Sequence, residues 1–224
     1  MNKYIVLIFL PAFALMMSPA MAQNLNWAGL KENEKHLFHV HAGMEYGAEY
    51  GLGYSYRIKN KFFPLVAGIE YSAPAGNRVL DDFKSKAGGQ IRWLAWRDVQ
   101  FSTRIQGVFR RHENDFVRLL NFGSDMAGVL GYYRPQWFLA AEAGFDKAIV
   151  THFKHAAAYR EIYARVVDGW YEPASGGNFY YGVQAGFSYK RQDIGLKAGK
   201  ILSQDFTTKP YLPFYVQLSY TVKF

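Results

Sequence analysis

Apolar and polar residues alternate along most of the chain, and this period of two constrains the fold more than any other feature. Between Tyr46 and Arg57, aromatic and aliphatic side chains fill one set of alternate positions, and glycine, serine and charged residues fill the other. Alternation of this kind predicts β-strands with one apolar and one polar face. It recurs at residues 63–71, 90–95, 99–110, 137–146, 179–190, 194–199 and 214–224, and more weakly at 36–44 and 126–133.

The first 22 residues have the pattern of a secretory signal peptide. Lys3 precedes an apolar run at residues 4–17, and Ala20 and Ala22 form the small-x-small pattern of a cleavage site, so we predict cleavage before Gln23. The apolar run is shorter than the ~20 residues of a spanning helix. No second apolar run of that length follows. We therefore expect a secreted chain that enters a membrane only as strands, after a polar periplasmic lead-in at residues 23–35.

Composition supports a barrel whose outer face contacts lipid. Hydrophobic residues make up 50% of the chain and aromatic residues 18%, yet the mean hydropathy is -0.16, as expected where apolar and polar positions alternate. With no cysteine, the chain has no disulfide, thiol chemistry or lipid-modified cysteine. The net charge of +8 is spread along the whole length, which argues against nucleic-acid binding and favours contact with anionic lipid and lipopolysaccharide.

The connections between predicted strands fall into two classes. Short turns are predicted at residues 60–61, 97–98, 134–136 and 191–193, and longer segments at 72–89, 111–125, 147–178 and 203–213. Outer-membrane barrels alternate short periplasmic turns with long extracellular loops in this way. Only the first hairpin, near residues 45–48, has a short connection where a long one is expected. We predict an all-β, closed antiparallel transmembrane barrel of ten strands, within a range of eight to twelve.

The last strand ends Tyr220-Thr221-Val222-Lys223-Phe224, with apolar alternate positions and a terminal phenylalanine. Together with the signal pattern and the strands, it resembles the small bacterial outer-membrane β-barrel proteins, over residues 36–224. The resemblance implies a place in the outer membrane of a diderm, Gram-negative bacterium and recognition of the strand ending in Phe224 by the barrel assembly machinery. That class includes porins, anchors, adhesins, lipid-A modifying enzymes and proteases, so the fold alone leaves the function open.

Charged residues at inward-facing positions are candidates for the lumen. The lumen-lining residues we predict are Arg57, Arg92, Arg104, Glu142, Asp146 and Lys190, beside His39, His41 and Glu70 among others. A bore of about ten strands is little wider than its own side chains, and opposite charges inside it should pair. The main hypothesis is therefore a lumen plugged by charged side chains. The alternative is a narrow pore whose basic excess favours anions.

Residues in the predicted loops are weaker candidates. His112, His152 and His155 are catalytic candidates for a rim hydrolase, but no fixed spacing connects them to a nucleophile. His152 and His155 alone offer too few ligands for zinc, and the Asp81-Asp82 pair offers too few oxygens for calcium. We therefore expect no metal site and no cofactor.

The adjacent aromatic residues Trp170 and Tyr171 lie in the longest predicted loop. They could form a rigid platform for a glycan or protein partner, or fold over the mouth of the barrel as a lid. The leading hypothesis is a non-enzymatic outer-membrane barrel that acts as a structural or interaction protein through its surface loops. A small-solute pore and an extracellular hydrolase or lipid-A modifying enzyme remain alternatives.

Overall fold

A computed structural model describes residues 24–45, 47–76, 81–163, 165–173 and 176–224 of the chain. The predicted signal peptide at residues 1–22, its cleavage site before Gln23, and Tyr46 of the alternating stretch lie outside the described residues.

Ten long strands form a closed antiparallel barrel, which confirms the predicted strand number. The strands are β1 His36–Met44, β2 Ala48–Ile58, β3 Leu65–Pro74, β4 Asp82–Trp96, β5 Val99–Glu113, β6 Val117–Tyr133, β7 Trp137–His155, β9 Gly177–Tyr189, β10 Gln192–Ser203 and β11 Phe214–Lys223. Each pairs with its neighbours along the chain, β7 pairs with β9, and pairing of β1 with β11 closes the ring. An additional short strand, β8 Gly169–Tyr171, extends the sheet along the outer part of β7.

The two ends of the barrel differ. The turn end carries the connections at residues 59–64, 97–98, 134–136 and 190–191, together with the C-terminal residue Phe224. The loop end carries the connections at residues 45–47, 75–81, 114–116, 156–176 and 204–213. Both chain termini of the barrel proper, His36 and Phe224, meet at the turn end, where their backbone groups exchange hydrogen bonds of 2.9 Å.

The faces of the strands have the inverted polarity of a transmembrane barrel. Outward side chains such as Leu52, Leu139 and Leu218 are 52–56% exposed, whereas inward charged side chains such as Glu70 and Glu142 are 2–3% exposed. Aromatic rings form a belt on the outer face near the loop end, through Tyr71, Phe83, Phe109, Phe122 and Trp170, with successive centroids 5.0–6.0 Å apart. Along the described part of the chain, no helix is long and apolar enough to cross a membrane.

Strands β4, β5, β6 and β7 are the longest of the barrel and extend at the loop end. They contain 15, 15, 17 and 19 residues, against the ~9–11 that cross a bilayer. Residues 111–125, predicted as a long loop, are therefore mostly strand, with only residues 114–116 as the connection. We call residues 109–122, 150–163 and 165–171, which include β8 and helix α1 (Ala157–Ile162), the raised wall.

Residues 24–35, which we call the inserted segment, fold into the turn end of the barrel. A short 3-10 helix, Trp27–Gly29, follows Asn26, whose side-chain oxygen accepts hydrogen bonds from two backbone N–H groups of the helix. Leu25, Trp27 and Leu30 are buried. They pack against inward-facing residues of the strands: Leu37, Val66, Val129, Tyr133, Phe138 and Ala140. The polar composition of this segment had predicted only a lead-in outside the barrel.

Candidate functional site

Polar side chains in the middle of the barrel bond across the bore. Tyr180 of β9 donates a hydrogen bond of 2.5 Å to Asp125 of β6, and Arg104 of β5 donates one of 3.0 Å to the Tyr180 hydroxyl. On the other side of Asp125, the Lys86 ammonium lies 3.2 Å from its second oxygen. Tyr180 lies on β9, two strands from Asp125 on β6 and three strands from Arg104 on β5, so these bonds run through the lumen between strands that are not adjacent.

Glu142 of β7 extends this arrangement to β11. Tyr215 of β11 donates a hydrogen bond of 2.7 Å to one carboxylate oxygen, and Gln184 donates one of 2.6 Å to the other. Arg104 lies 3.8 Å from the same carboxylate. We call Lys86, Arg104, Asp125, Glu142, Tyr180 and Tyr215 the bore network. The space that these residues line holds about 20 Å³, room for roughly one water molecule.

A larger cavity of about 220 Å³, which we call the mouth cavity, opens above the bore network at the loop end. It is lined by Glu45, Glu49, Lys84 and His112, among other residues. Lys84 lies 3.2 Å from the Glu45 carboxylate and 3.0 Å from that of Glu49. Burial raises the pKa of Glu45, but the ammonium groups of Lys84 and Lys86 outweigh burial and hold that pKa well below its usual range. The mouth of the barrel is therefore polar and its charges are paired.

The inner side of the raised wall carries an apolar recess of about 430 Å³. Its lining includes Phe153, Val167 and Tyr171. Asp168 fixes the adjoining loop, because its carboxylate accepts a 2.9 Å hydrogen bond from the His155 backbone N–H and lies 3.0 Å from the ring Nδ1 of that histidine. The backbone hydrogen bond from His155 also lowers the pKa of Asp168. A recess of this volume is within the range of small-ligand pockets.

Five of the six predicted lumen residues occupy three environments inside the barrel. Arg104 and Glu142 belong to the bore network, and Asp146 lies nearer the loop end, 2.7 Å from the Arg110 guanidinium. Two others contact the inserted segment at the turn end. Arg57 donates a hydrogen bond of 2.8 Å to the Lys31 carbonyl, and the Arg92 guanidinium lies 5.6 Å from the centroid of the Trp27 ring.

Lys190 is not a lumen residue. It is exposed in the turn between β9 and β10, where its backbone φ is 54° and its ammonium lies 5.2 Å from the Tyr189 ring centroid. Strand β9 ends at Tyr189, so Lys190 lies in the tight turn and the alternation of the strand does not extend to it.

The three loop histidines, His112, His152 and His155, do not share a site. His112 lies in the mouth cavity, 3.0 Å from the Asp82 carboxylate. His155 contacts Asp168 on the inner side of the raised wall, whereas His152 packs edge-on against Trp170, with centroids 4.8 Å apart. Strand alternation separates these last two, because His152 and His155 are both in β7 and an odd number of residues apart.

Trp170 and Tyr171 point to opposite faces for the same reason, since both belong to β8. Trp170 joins the outer aromatic belt, with its ring 6.0 Å from that of Phe122. Tyr171 lines the inner recess and donates a 2.9 Å hydrogen bond to the Val167 carbonyl. The two rings therefore do not form one platform.

Sequence reasoning missed several members of the bore. Lys84, Lys86 and Asp125 were placed in loops, but β4 begins at Asp82 and Asp125 lies well inside β6. The signal was present in the alternation of Lys84 and Lys86 with Phe83 and Ser85. This alternation is hard to interpret from the sequence, because β4 and β6 both continue past the length needed to span the membrane, into residues that a membrane strand of ordinary length would leave in a loop.

Comparisons with solved structures find only distant matches. A structure described as the KdgM porin matches with a TM-score of 0.41 and 9% identity over 84% of this chain and 99% of that one. The outer-membrane protein Ail of Yersinia pestis, in a phospholipid bilayer nanodisc, matches with a TM-score of 0.31 and 12% identity over 86% and 100%. No family model matches the chain, and neither does any curated protein.

The strand pairing and the polarity of the faces define the fold by themselves. It is a small outer-membrane β-barrel fold of ten strands. Within this barrel, the chemistry that remains accessible lies in the mouth cavity and on the raised wall, beyond the bore network.

Proposed function

We propose that this protein is an outer-membrane barrel of a Gram-negative bacterium that does not conduct solutes. It acts as a structural or interaction protein, anchored by its strands and presenting its loop end, the extracellular end, to ligands or partners. The observation that carries the proposal is the bore network, whose hydrogen bonds join strands that lie two or three positions apart around the ring. A continuous water path would require those bonds to break.

Two further features support a closed bore. The inserted segment fills the turn end below the network, with Trp27 only 4% exposed. The charges of the bore are also largely paired, which removes the basic excess that an anion-favouring pore needs. Cations lie 2.7–3.8 Å from carboxylate oxygens at Lys84, Lys86, Arg104, Arg110 and Lys223.

The outer face of the raised wall suits a phosphorylated lipid such as lipopolysaccharide. Arg118 and Lys154 are directly paired across β6 and β7, on the face that also carries Phe122 of the aromatic belt. Aromatic belts mark the interface between the hydrocarbon and the headgroups, so these cations lie at the level of the headgroup phosphates. We expect the double variant Arg118→Ala/Lys154→Ala to bind immobilised lipopolysaccharide more weakly than the parent. A variant that removes the turn-end cation Lys61 serves as the control, and equal losses in both would contradict this contact.

The C-terminal strand supports recognition by the barrel assembly machinery. Phe224 stacks on His36 of the first strand at 5.6 Å and 9°, at the seam where the two ends of the sheet meet. Deletion of Phe224 should therefore lower the amount of barrel in the outer membrane, measured by heat-dependent gel mobility of membrane fractions.

Single-channel recording in planar bilayers tests the closed bore. The purified parent barrel should give no steady openings, because the network leaves a cavity of only about 20 Å³. A variant without the network side chains and without residues 24–34 serves as the positive control and should conduct. Steady, reproducible openings of the parent protein would refute the proposal and favour the pore.

A further inference from the structure

Two histidines and a glutamate meet inside the barrel, between the inserted segment and the bore network. His39 and His41 are alternate residues of β1 and so point to the same, inward side. Glu70 lies on β3, two strands away, and points inward as well. All three are buried, with 1–5% exposure. Among the described residues, no other set of three or more histidine, aspartate or glutamate side chains brings its ligand atoms this close together.

Strand β2 leaves room for the two rings to reach Glu70. His39 is paired with Gly53, and Gly53 in turn with Glu70. A Cβ atom at Gly53 would lie 2.3 Å from the His39 ring, and one at Gly51 would lie 2.5 Å from the His41 ring. Any larger residue at these two positions would therefore push the imidazoles away from the carboxylate.

The distances suit a common ion. Nε2 of His39 is 3.3 Å from one Glu70 oxygen, and Nε2 of His41 is 3.9 Å from the other. All three residues offer ligand atoms within 4.8 Å of one another. Ligands at the zinc distances of about 2.0–2.2 Å in a tetrahedron are separated by roughly 3.3 Å, so small side-chain shifts would complete the geometry.

His41 also lacks the hydrogen bonds that a buried imidazole normally makes. Neither its Nδ1 nor its Nε2 has a hydrogen-bond partner within the described residues, although its side chain is 1% exposed. Buried polar atoms are satisfied in most proteins. A metal ion at Nε2 would satisfy that nitrogen, and a water molecule could accept from Nδ1.

We propose that His39, His41 and Glu70 bind a divalent transition-metal ion of the Zn²⁺ type. Two imidazoles and a carboxylate are a ligand set typical of zinc, with a fourth position for water, whereas Mg²⁺ and Ca²⁺ prefer oxygen ligands alone. Positive charge from Lys84 and Lys197 also acts on His41. However, Lys84 is paired with Glu45 and Glu49, and the charge of Lys197 is offset by Glu142 and Glu45. Lys86, which is paired with Glu70 across β3 and β4, lies 3.2 Å from Asp125 and 3.6 Å from Glu45, so its charge is also offset and the Glu70 carboxylate still attracts a cation.

The ion holds β1 to β3 at the level of Asn24, the first described residue of the inserted segment. Asn24 donates a 3.2 Å hydrogen bond to the Ser219 hydroxyl, and Ser219 is the residue paired with His41. The site is therefore covered on the turn side by the inserted segment and on the loop side by the bore network. Its role is structural, and the bound ion exchanges slowly.

The full-length mature barrel, refolded with one equivalent of ZnCl₂ and freed of excess metal by gel filtration, tests the site. We expect about one zinc per chain by elemental analysis. The variants His41→Ala and Glu70→Gln should each lower zinc affinity by more than the ~10–100-fold that is lost when a residue hydrogen-bonded to a metal ligand is replaced. The matched control His112→Ala/His152→Ala/His155→Ala removes three histidines outside the site and should retain the zinc.

Heat-dependent gel mobility shows whether each variant has folded. X-ray absorption of the zinc-loaded parent keeps the proposal testable even if a variant does not fold. It should report two nitrogen ligands and one or two oxygen ligands at about 2.0–2.2 Å. Less than one tenth of an equivalent of zinc in the parent would overturn the proposal. So would loss of zinc in the triple-histidine control, because that result would assign an adventitious ion to the loops.

Discussion

Replacing Asn26 by aspartate should release the inserted segment from the turn end while the strands stay paired. Asn26 is fully buried. Its Oδ1 accepts hydrogen bonds of 3.1 Å from the backbone N–H groups of Ala28 and Gly29. Its Nδ2 donates bonds of 3.0 Å to the Arg134 carbonyl and 2.9 Å to the Ser188 hydroxyl. Aspartate keeps the first pair of bonds and, having no amide donor, cannot make the second pair.

The size of the effect follows from the two donated bonds. Each lost hydrogen bond costs about 0.5–1.5 kcal/mol, and an acceptor left buried without a partner costs about 1–3 kcal/mol. The Ser188 hydroxyl can rotate to donate to the new carboxylate, whereas the Arg134 carbonyl cannot. We therefore expect docking to weaken by about 2–4 kcal/mol. At 1.36 kcal/mol per factor of ten, the undocked population rises roughly 30- to 1,000-fold.

Cysteine labelling measures that population directly, because the natural chain contains no cysteine. Leu30→Cys places a thiol at a position that is 9% exposed in the docked segment. Its reaction with a maleimide should be slow in the parent background and faster by the stated factor with Asn26→Asp. Lys61→Cys, in an exposed turn, should react equally in both backgrounds. If Leu30→Cys reacts at the same rate with and without Asn26→Asp, the donated bonds do not hold the segment.

Further outcomes are expected elsewhere in the molecule. Glu142→Gln removes one partner of a buried ion pair and should lower the free energy of unfolding by about 3–5 kcal/mol in denaturant; a loss below about 1 kcal/mol would contradict a cooperative bore network. Asp205 has a pKa lowered from 3.8 to about 2, mainly by the Thr208 side-chain hydrogen bond. Its contribution to the β10–β11 loop is present above pH 3.8 and is lost as the pH falls through about 2. Pepsin cleavage of that loop should therefore rise over this interval in the parent and stay level with Asp205→Asn. Alanine at the three loop histidines should leave lipid-A and peptide-cleavage profiles unchanged, and a loss of activity would favour the enzyme.

The alternation predicted the barrel and its faces because each strand contacts lipid on one side and polar side chains on the other. Arg104 and Glu142 could be assigned to the lumen on this basis alone. Strand ends could not be predicted as well, because β5–β7 continue beyond the membrane as paired strands. The β-bulge at Arg92 and Leu94 also reverses the faces locally, so that Leu94 is exposed although the alternation predicts an inward side chain.

The inserted segment was hidden for a different reason. Leu25, Trp27 and Leu30 follow neither the strand period nor the helix period. Their partners come from strands far apart in sequence, and only the closed barrel brings these surfaces together. The triad of His39, His41 and Glu70 was visible as three inward residues, but its convergence depends on the register of β1 and β3 against β2. The register between these strands cannot be predicted from a single sequence.

The two barriers along the bore differ in what would open them. The inserted segment is held by apolar contacts and by the Asn26 side chain at one end of the barrel, so its release leaves every strand pair intact. The bore network instead joins strands that do not neighbour each other, and among the described residues none of its hydrogen bonds is made to the inserted segment. Asn26→Asp should therefore free the segment without producing conductance in a planar bilayer. Openings with Asn26→Asp alone would mean that the segment, and not the network, closes the bore.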